Sequence, residues 1–291
     1  MSRRKPTHMP WVTPVSCWLL TASLVSLSVG CFLWAVARFD VPASAAFAAF
    51  NEARLADLSA TKRDSTARVV MLGNSRLKYA TLTDDDLMRR AGAGTAIVRI
   101  VNNWAIFTDF EPLLESILQT APTLIVLQED LLGDGWSFLN KLRHARQYVR
   151  WKLFGAGAWN PGATDQRALQ FDTPCSGEVS ERAVERRLAR TGLWLVHDSD
   201  RKAAAAAYRF VERVLSAGTD VVVLSIPRSG PMEAARPVTL LDDPPEALRR
   251  AGVDVWRYTD PLADDYFCDT IHINAEGRER FSRWLLDNLG G

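Results

Sequence analysis

From residue 67 onward, short apolar runs of strand length alternate with stretches of helical periodicity. Ala67-Arg68-Val69-Val70-Met71-Leu72, closed by Gly73, and Thr95-Ala96-Ile97-Val98-Arg99-Ile100-Val101 are rich in β-branched residues and predict two strands. Thr123-Leu124-Ile125-Val126-Leu127 predicts a third, and Asp220-Val221-Val222-Val223-Leu224-Ser225-Ile226, stopped by Pro227, a fourth. Val253-Asp254-Val255-Trp256 is a weaker fifth. Between them, Phe110 to Gln119 places Leu113, Leu114, Ile117 and Leu118 at helical spacing, and Ala203 to Ala217 is a strong helix. A last helix is predicted from Asn274, a good cap, with Phe281, Trp284, Leu285 and Leu289 on one face. Strands that are apolar almost throughout must be covered on both faces. The predicted fold class is therefore α/β, a three-layer α/β/α sandwich around a mostly parallel five-stranded sheet, in which ligands collect at the carboxyl ends of the strands.

The N-terminal pattern is of another kind. Arg3, Arg4 and Lys5 precede a stretch from Met9 to Ala37 that has no charged side chain before Arg38 and Asp40. At 1.5 Å per residue that stretch is long enough to cross a hydrocarbon core of about 30 Å. Trp11 and Trp34 fall where interfacial aromatics belong, and the leading basic residues predict a cytoplasmic N-terminus with the remainder exported. The organisation expected is a basic cytoplasmic tail over 1–10, a transmembrane helix over 11–38 and a linker over 39–66. The domain follows over 67–291, with a helical insertion at about 132–202. The rivals are a signal peptide cleaved after an Ala between 43 and 49, and a lipoprotein signal read through Ser28-Val29-Gly30-Cys31. Within the insertion, Phe138, Leu142, Ala145, Val149 and Leu153 form an apolar stripe among Lys141, Arg143, His144, Arg146, Arg150 and Lys152. This is either a helix packed on the core with a solvated face or a basic helix lying on a membrane or an anionic polymer. Trp136, Trp151, Trp159 and Trp194 are either packing residues or flat faces for sugar rings.

Composition narrows the classes. The chain has 291 residues, 35 Lys+Arg against 34 Asp+Glu, and a net charge of +1, so no global electrostatic case for nucleic acid exists. A 47% hydrophobic content with a mean hydropathy of -0.07 excludes both a disordered chain and a polytopic membrane protein. Of the 4 Cys, Cys17 and Cys31 lie in the apolar segment. Cys175 and Cys268 remain for a disulfide in an oxidising compartment, which spacing alone does not decide. No metal-ligand spacing, P-loop, G-x-S-x-G elbow or H-E-x-x-H is present, Gly92-Ala93-Gly94 does not follow a strand, and no cofactor or metal is expected.

Two short segments carry chemistry. Gly73-Asn74-Ser75-Arg76 follows the first strand directly, so Ser75 sits at the carboxyl end of the sheet. Asp269-Thr270-Ile271-His272 puts an acid and an imidazole three residues apart, just before the last helix. A serine hydroxyl becomes a nucleophile only when a base takes its proton, and the base needs an acceptor on its other nitrogen to hold the tautomer. Ser75, His272 and Asp269 are of the right types for those roles. Taken singly, a Ser after Gly-Asn is also a common cap, and a lone His a common loop residue.

Together, a strand followed by Gly-x-Ser and an Asp-x-x-His before the last helix resemble the SGNH (GDSL-like) hydrolase superfamily, over roughly Arg68 to Leu289. The resemblance implies Ser75 as nucleophile, Asp269 as orienting acid and His272 as base. In that family a Gly after the second strand and an Asn after the third complete an oxyanion hole with the serine amide. Here those places read Val101-Asn102-Asn103-Trp104-Ala105 and Leu127-Gln128-Glu129-Asp130. Gly73, Asn74, Asn102 and Asn103 are the candidate oxyanion or substrate-binding residues, and Glu129 must point away, pair with Arg76 or Lys78, or serve another task.

With the anchor, these departures resemble the membrane-anchored SGNH-like proteins that work beside membrane-bound O-acyltransferases. Three functions are implied: a periplasmic O-acyltransferase passing an acyl group, expected to be acetyl, from Ser75 to a polysaccharide hydroxyl; an esterase with the same triad; or a non-catalytic scaffold of an export complex. The partners implied are a polysaccharide acceptor, an acyl donor, a membrane-bound O-acyltransferase and the inner membrane, with no nucleic acid.

Overall fold

In the computed structural model, five strands pair in parallel in the order β2-β1-β3-β4-β5. They are β1 (Ala67–Gly73), β2 (Thr95–Val101), β3 (Leu124–Gln128), β4 (Asp220–Ser225) and β5 (Asp254–Arg257). The structure describes residues 14–37, 45–61, 67–103, 105–133, 174–194, 201–235, 248, 252–260 and 262–290. Its helices are α1 (Pro14–Ala37), α2 (Ala45–Thr61), α3 (Ser75–Ala80), α4 (Asp84–Ala91), α5 (Leu114–Gln119), α6 (Asp130–Gly133), α7 (Glu181–Trp194), α8 (Arg201–Ser216), α9 (Gly230–Ala234) and α10 (Ala275–Gly290). A 3-10 turn, Phe107–Leu113, runs straight into α5 and accounts for the early start of the helical pattern at Phe110; its Pro112 lacks the N–H a longer α-helix would use.

Strand residues alternate between two cores, which is what a sheet covered on both faces requires. Val70, Leu72, Ile100, Ile125, Leu127, Val221 and Val223 face one core, with Phe107, Phe110, Phe210 and Val214 from the covering helices. Val69, Met71, Ile97, Val126 and Leu224 face the other, with Leu77, Leu87, Phe281 and Leu285. The strand order reverses between β1 and β3, and the crevice outside the carboxyl ends at such a switch point is where open α/β sheets bind ligands.

Residues 39–66 are not merely a linker. They contain α2, whose Phe47, Leu55 and Leu58 are buried in the first core, with Phe47 edge-on to Phe110 at 6.0 Å. Asn51 is buried on the same face, its amide donating to the Phe47 carbonyl at 2.9 Å. Arg54 reaches across to the Arg99 carbonyl at 2.8 Å and to Asp84. A polar residue in the middle of the buried stripe interrupts the apolar pattern that would have announced this helix.

The chain divides into two compact units, residues 1–41 with 138–159, and 42–137 with 160–291. In the first, α1 is 24 residues long without a charged side chain, and Trp18, Leu19, Leu20, Leu24, Val25, Leu27, Val29, Phe32 and Trp34 are exposed. Among the described residues no helix is long and apolar enough to cross a membrane. The basic stripe at 138–153, Trp11, Trp136, Trp151, Trp159 and the Trp194 side chain lie outside the described residues.

Candidate active site

The turn after β1 is built for close approach. A Cβ on Gly73 would lie 2.5 Å from the Leu77 Cβ and 2.6 Å from the Gln128 Oε1, so only glycine fits between the strand end and its neighbours. Asn74 caps α3, its Oδ1 accepting from the Arg76 N–H at 2.9 Å. Ser75 is the first residue of α3, where the backbone N–H has no acceptor within the helix. Gly73 and Asn74 thus shape the turn that presents Ser75.

From the other end of the domain comes a tight loop over Phe267–Asn274. Phe267 and Ile273 bridge across it, and the Cys268 N–H donates to the His272 carbonyl at 3.0 Å. Asp269 Oδ1 accepts from the N–H groups of Ile271 and His272, both at 2.8 Å. The loop is also tied from outside. Ser229, after β4, donates its N–H and hydroxyl to the Thr270 carbonyl at 3.3 and 3.0 Å. Cys268 is joined by a disulfide to Cys175, which itself bridges Asn274. Opening a link between residues 93 apart in sequence is expected to lower stability by about 2–4 kcal/mol. Denaturant unfolding of a Cys175→Ser/Cys268→Ser variant measures this loss, and an unchanged midpoint would contradict it.

These segments bring Ser75, His272 and Asp269 into one chain of hydrogen bonds. His272 Nε2 lies 2.9 Å from the Ser75 Oγ, and Nδ1 lies 2.7 Å from Asp269 Oδ2. Burial acts to raise the Asp269 pKa, but the hydrogen bond and charge of His272, with the two backbone amides, outweigh it and hold the carboxyl down at about 2. An ionised acceptor on Nδ1 keeps the proton there and leaves Nε2 to accept from the serine. Such an arrangement can make a serine alkoxide at neutral pH and later hand the proton to a leaving group.

Asn102 and Asn103 follow β2, whose last residue Val101 pairs with Gly73, so both stand at the same end of the sheet as Ser75. Asn102 is half-buried and donates its backbone N–H to the Gly73 carbonyl at 3.2 Å, and Asn103 is exposed. The Arg76 guanidinium pairs with the carboxylate of the buried Asp130, two residues beyond Gln128, at 2.5 Å. It also donates to the Ile226 carbonyl, while Arg228 reaches the other oxygen of Asp130 at 3.0 Å. Burial alone would raise the Asp130 pKa, yet the two guanidinium groups hold it far below the usual carboxylate range.

Several residues with no motif to announce them also meet here. Tyr79 sets its ring edge-on to the His272 imidazole at 5.0 Å, and the Lys78 ammonium lies over the Tyr79 ring at 4.7 Å. Helical spacing from Ser75 was the available signal, since positions three and four ahead share its face. Gln128 bridges the serine turn and Asp130, and no sequence signal marks it. A separate cavity of about 330 Å³, lined by residues that include Phe50, Arg54, Asp84 and Met88, contains none of these groups.

No protein-family model and no curated protein sequence matches this chain. Among solved structures it is similar to a lipase/acylhydrolase from Enterococcus faecalis, with 12% identity and a TM-score of 0.42 over 78% of this chain and 96% of that one. It is also similar to a protein from Bacteroides fragilis described provisionally as an acylhydrolase, with 12% identity and a TM-score of 0.38 over 82% of this chain and 98% of that one.

Proposed function

We propose that this protein is a serine-dependent acyl-ester enzyme of the SGNH type, and that in the cell it is a membrane-anchored O-acyltransferase acting on an exported polysaccharide. The observation that carries the enzymatic reading is the unbroken relay from the Ser75 Oγ through His272 to Asp269, at the switch point of the sheet. In the first half-reaction the Oγ attacks the acyl carbonyl while His272 Nε2 takes the hydroxyl proton. The Ser75 N–H, with Asn102 or Asn103 as second donor, stabilises the oxyanion. Collapse of the tetrahedral intermediate breaks the ester bond of the donor, and His272 returns its proton to the departing alcohol. In the second half-reaction His272 deprotonates an acceptor hydroxyl, which attacks the acyl-serine. The new ester leaves and Ser75 recovers its proton.

Three further features support the cellular setting. The sequence from Met9 to Ala37 carries no charged side chain and follows Arg3, Arg4 and Lys5, a pattern that suits an N-terminal anchor. The exposed tryptophans and leucines of α1 would otherwise face water. The Cys175–Cys268 disulfide suits an oxidising compartment, hence a periplasmic domain on an inner-membrane anchor. A membrane-bound O-acyltransferase is the partner that would deliver the acyl group. Hydrolysis is the competing outcome, favoured by the 43% exposure of the Asp269 side chain, which lets water reach the triad.

Transfer and hydrolysis are separated by product analysis. The full chain in detergent, given an activated acetyl ester, is expected to release acetate when alone and to divert acetyl onto an added cell-envelope polysaccharide. Acetate as the sole product with every polysaccharide would leave an esterase. No turnover at all would leave a binding scaffold.

A further inference from the structure

Beneath the serine turn lies a buried polar cluster that the acyl-transfer scheme does not use. The Gln128 Oε1 accepts from the Asn74 N–H at 2.8 Å, while its Nε2 donates to the Asn74 Oδ1 at 2.9 Å and to the Asp130 Oδ2 at 2.6 Å. The amide can sit only one way round. A flip would set its oxygen against two acceptors and its NH2 against a donor. Gln128 is 1% exposed and ends β3, directly beside β1, and the Asp130 that it grips is itself held by Arg76 and Arg228. A buried carboxylate with two arginines is an expensive way to fill space that apolar side chains could fill.

What the cluster controls follows from where its bonds land. The peptide that carries the Ser75 N–H runs from the Asn74 carbonyl to the Ser75 nitrogen. Its carbonyl accepts from the Lys78 N–H at 3.2 Å. The N–H before it is held by Gln128, and the N–H after it by the Asn74 Oδ1 that Gln128 also holds. Every neighbouring polar group is thereby tied except the Ser75 N–H, the one needed for a developing oxyanion.

We infer that Gln128, braced by Asp130, is a positioning residue that aims the Ser75 backbone N–H at the transition-state oxyanion. It touches neither substrate nor Oγ and acts through Asn74. The inference rests on the proposed acyl-enzyme chemistry, and its effect falls on the transition state rather than on substrate binding.

The test uses the full chain, an activated acetyl ester and phenylboronic acid, whose tetrahedral adduct on Ser75 places an oxygen where the oxyanion forms. Gln128→Leu is expected to lower kcat by about 10- to 100-fold with KM within about twofold. Its affinity for phenylboronic acid is expected to fall by the same factor as kcat/KM, with an unchanged pH profile. Wild-type kcat in the variant, or a lower kcat with wild-type boronate affinity, overturns the inference. If Gln128→Leu does not fold, Gln128→Glu carries the test. It keeps the size and the acceptor for the Asn74 N–H but sets oxygen against Asp130 and the Asn74 Oδ1, so the same paired loss is expected. An inactive wild type sinks the enzymatic reading itself. An active wild type with an unaffected variant sinks this inference alone.

Discussion

Ser75→Ala is expected to lower kcat on an activated acetyl ester by about a millionfold, to the rate left by binding and oxyanion stabilisation alone. The removed Oγ is the atom that forms the covalent bond, and no other hydroxyl in the described residues is bonded to His272. Folding should hardly notice, because the cap bonds of α3 come from Asn74 and not from the serine side chain. Thermal unfolding is therefore expected to shift by no more than about 0.5 kcal/mol. His272→Ala should cost about as much, and the double variant no more than either single one, since the two residues act as a unit. Additive losses in a Ser75→Ala/His272→Ala kinetic comparison would contradict a shared proton transfer.

Asp269→Asn is expected to lower kcat by about ten-thousandfold, with KM nearly unchanged. The reason lies in both oxygens of this carboxylate. Oδ1 accepts two backbone N–H groups, so an asparagine must keep its carbonyl there and turn its NH2 toward His272. The imidazole would then have to accept at Nδ1, putting its proton on Nε2, where it faces the serine and cannot act as base. Acid behaviour follows from the same contacts. A carboxyl whose folded pKa is about 2 contributes stability that is fully present above its unfolded value near 4 and is lost as pH falls through about 2. Wild-type unfolding measured between pH 2 and 5 should show this loss, and Asp269→Asn should lack that part of it.

Much of the architecture was legible because its signals are local. Strands β1 to β4 are contiguous apolar runs with β-branched residues, and Ser75, Asp269 and His272 stand in segments whose neighbours, Gly73 and Asn274, mark a strand end and a helix start. What stayed hidden depends on contacts between distant residues. Asp130 meets Arg76 across 54 residues and Arg228 across 98, and no spacing rule reports such pairs. Glu129 is the more conspicuous charge after β3, whereas the buried contacts to the serine turn come from Gln128 and Asp130 on either side of it. Helix α2 has no clear sequence signal because Asn51 breaks the apolar stripe that Phe47, Leu55 and Leu58 otherwise make. Spacing alone does not decide the disulfide, because two cysteines 93 residues apart can pair only if the fold brings them together, as the 5.8 Å Cα separation shows that it does.

Acylation of Ser75 is read out by mixing the full chain with an activated acetyl ester, quenching in acid during turnover, and mapping peptides by mass spectrometry. One acetyl group is expected on the peptide containing Ser75, absent from Ser75→Ala and lost when a polysaccharide acceptor is added before the quench. Turnover without an adduct on Ser75, or an adduct that persists in Ser75→Ala, would contradict acylation at this serine.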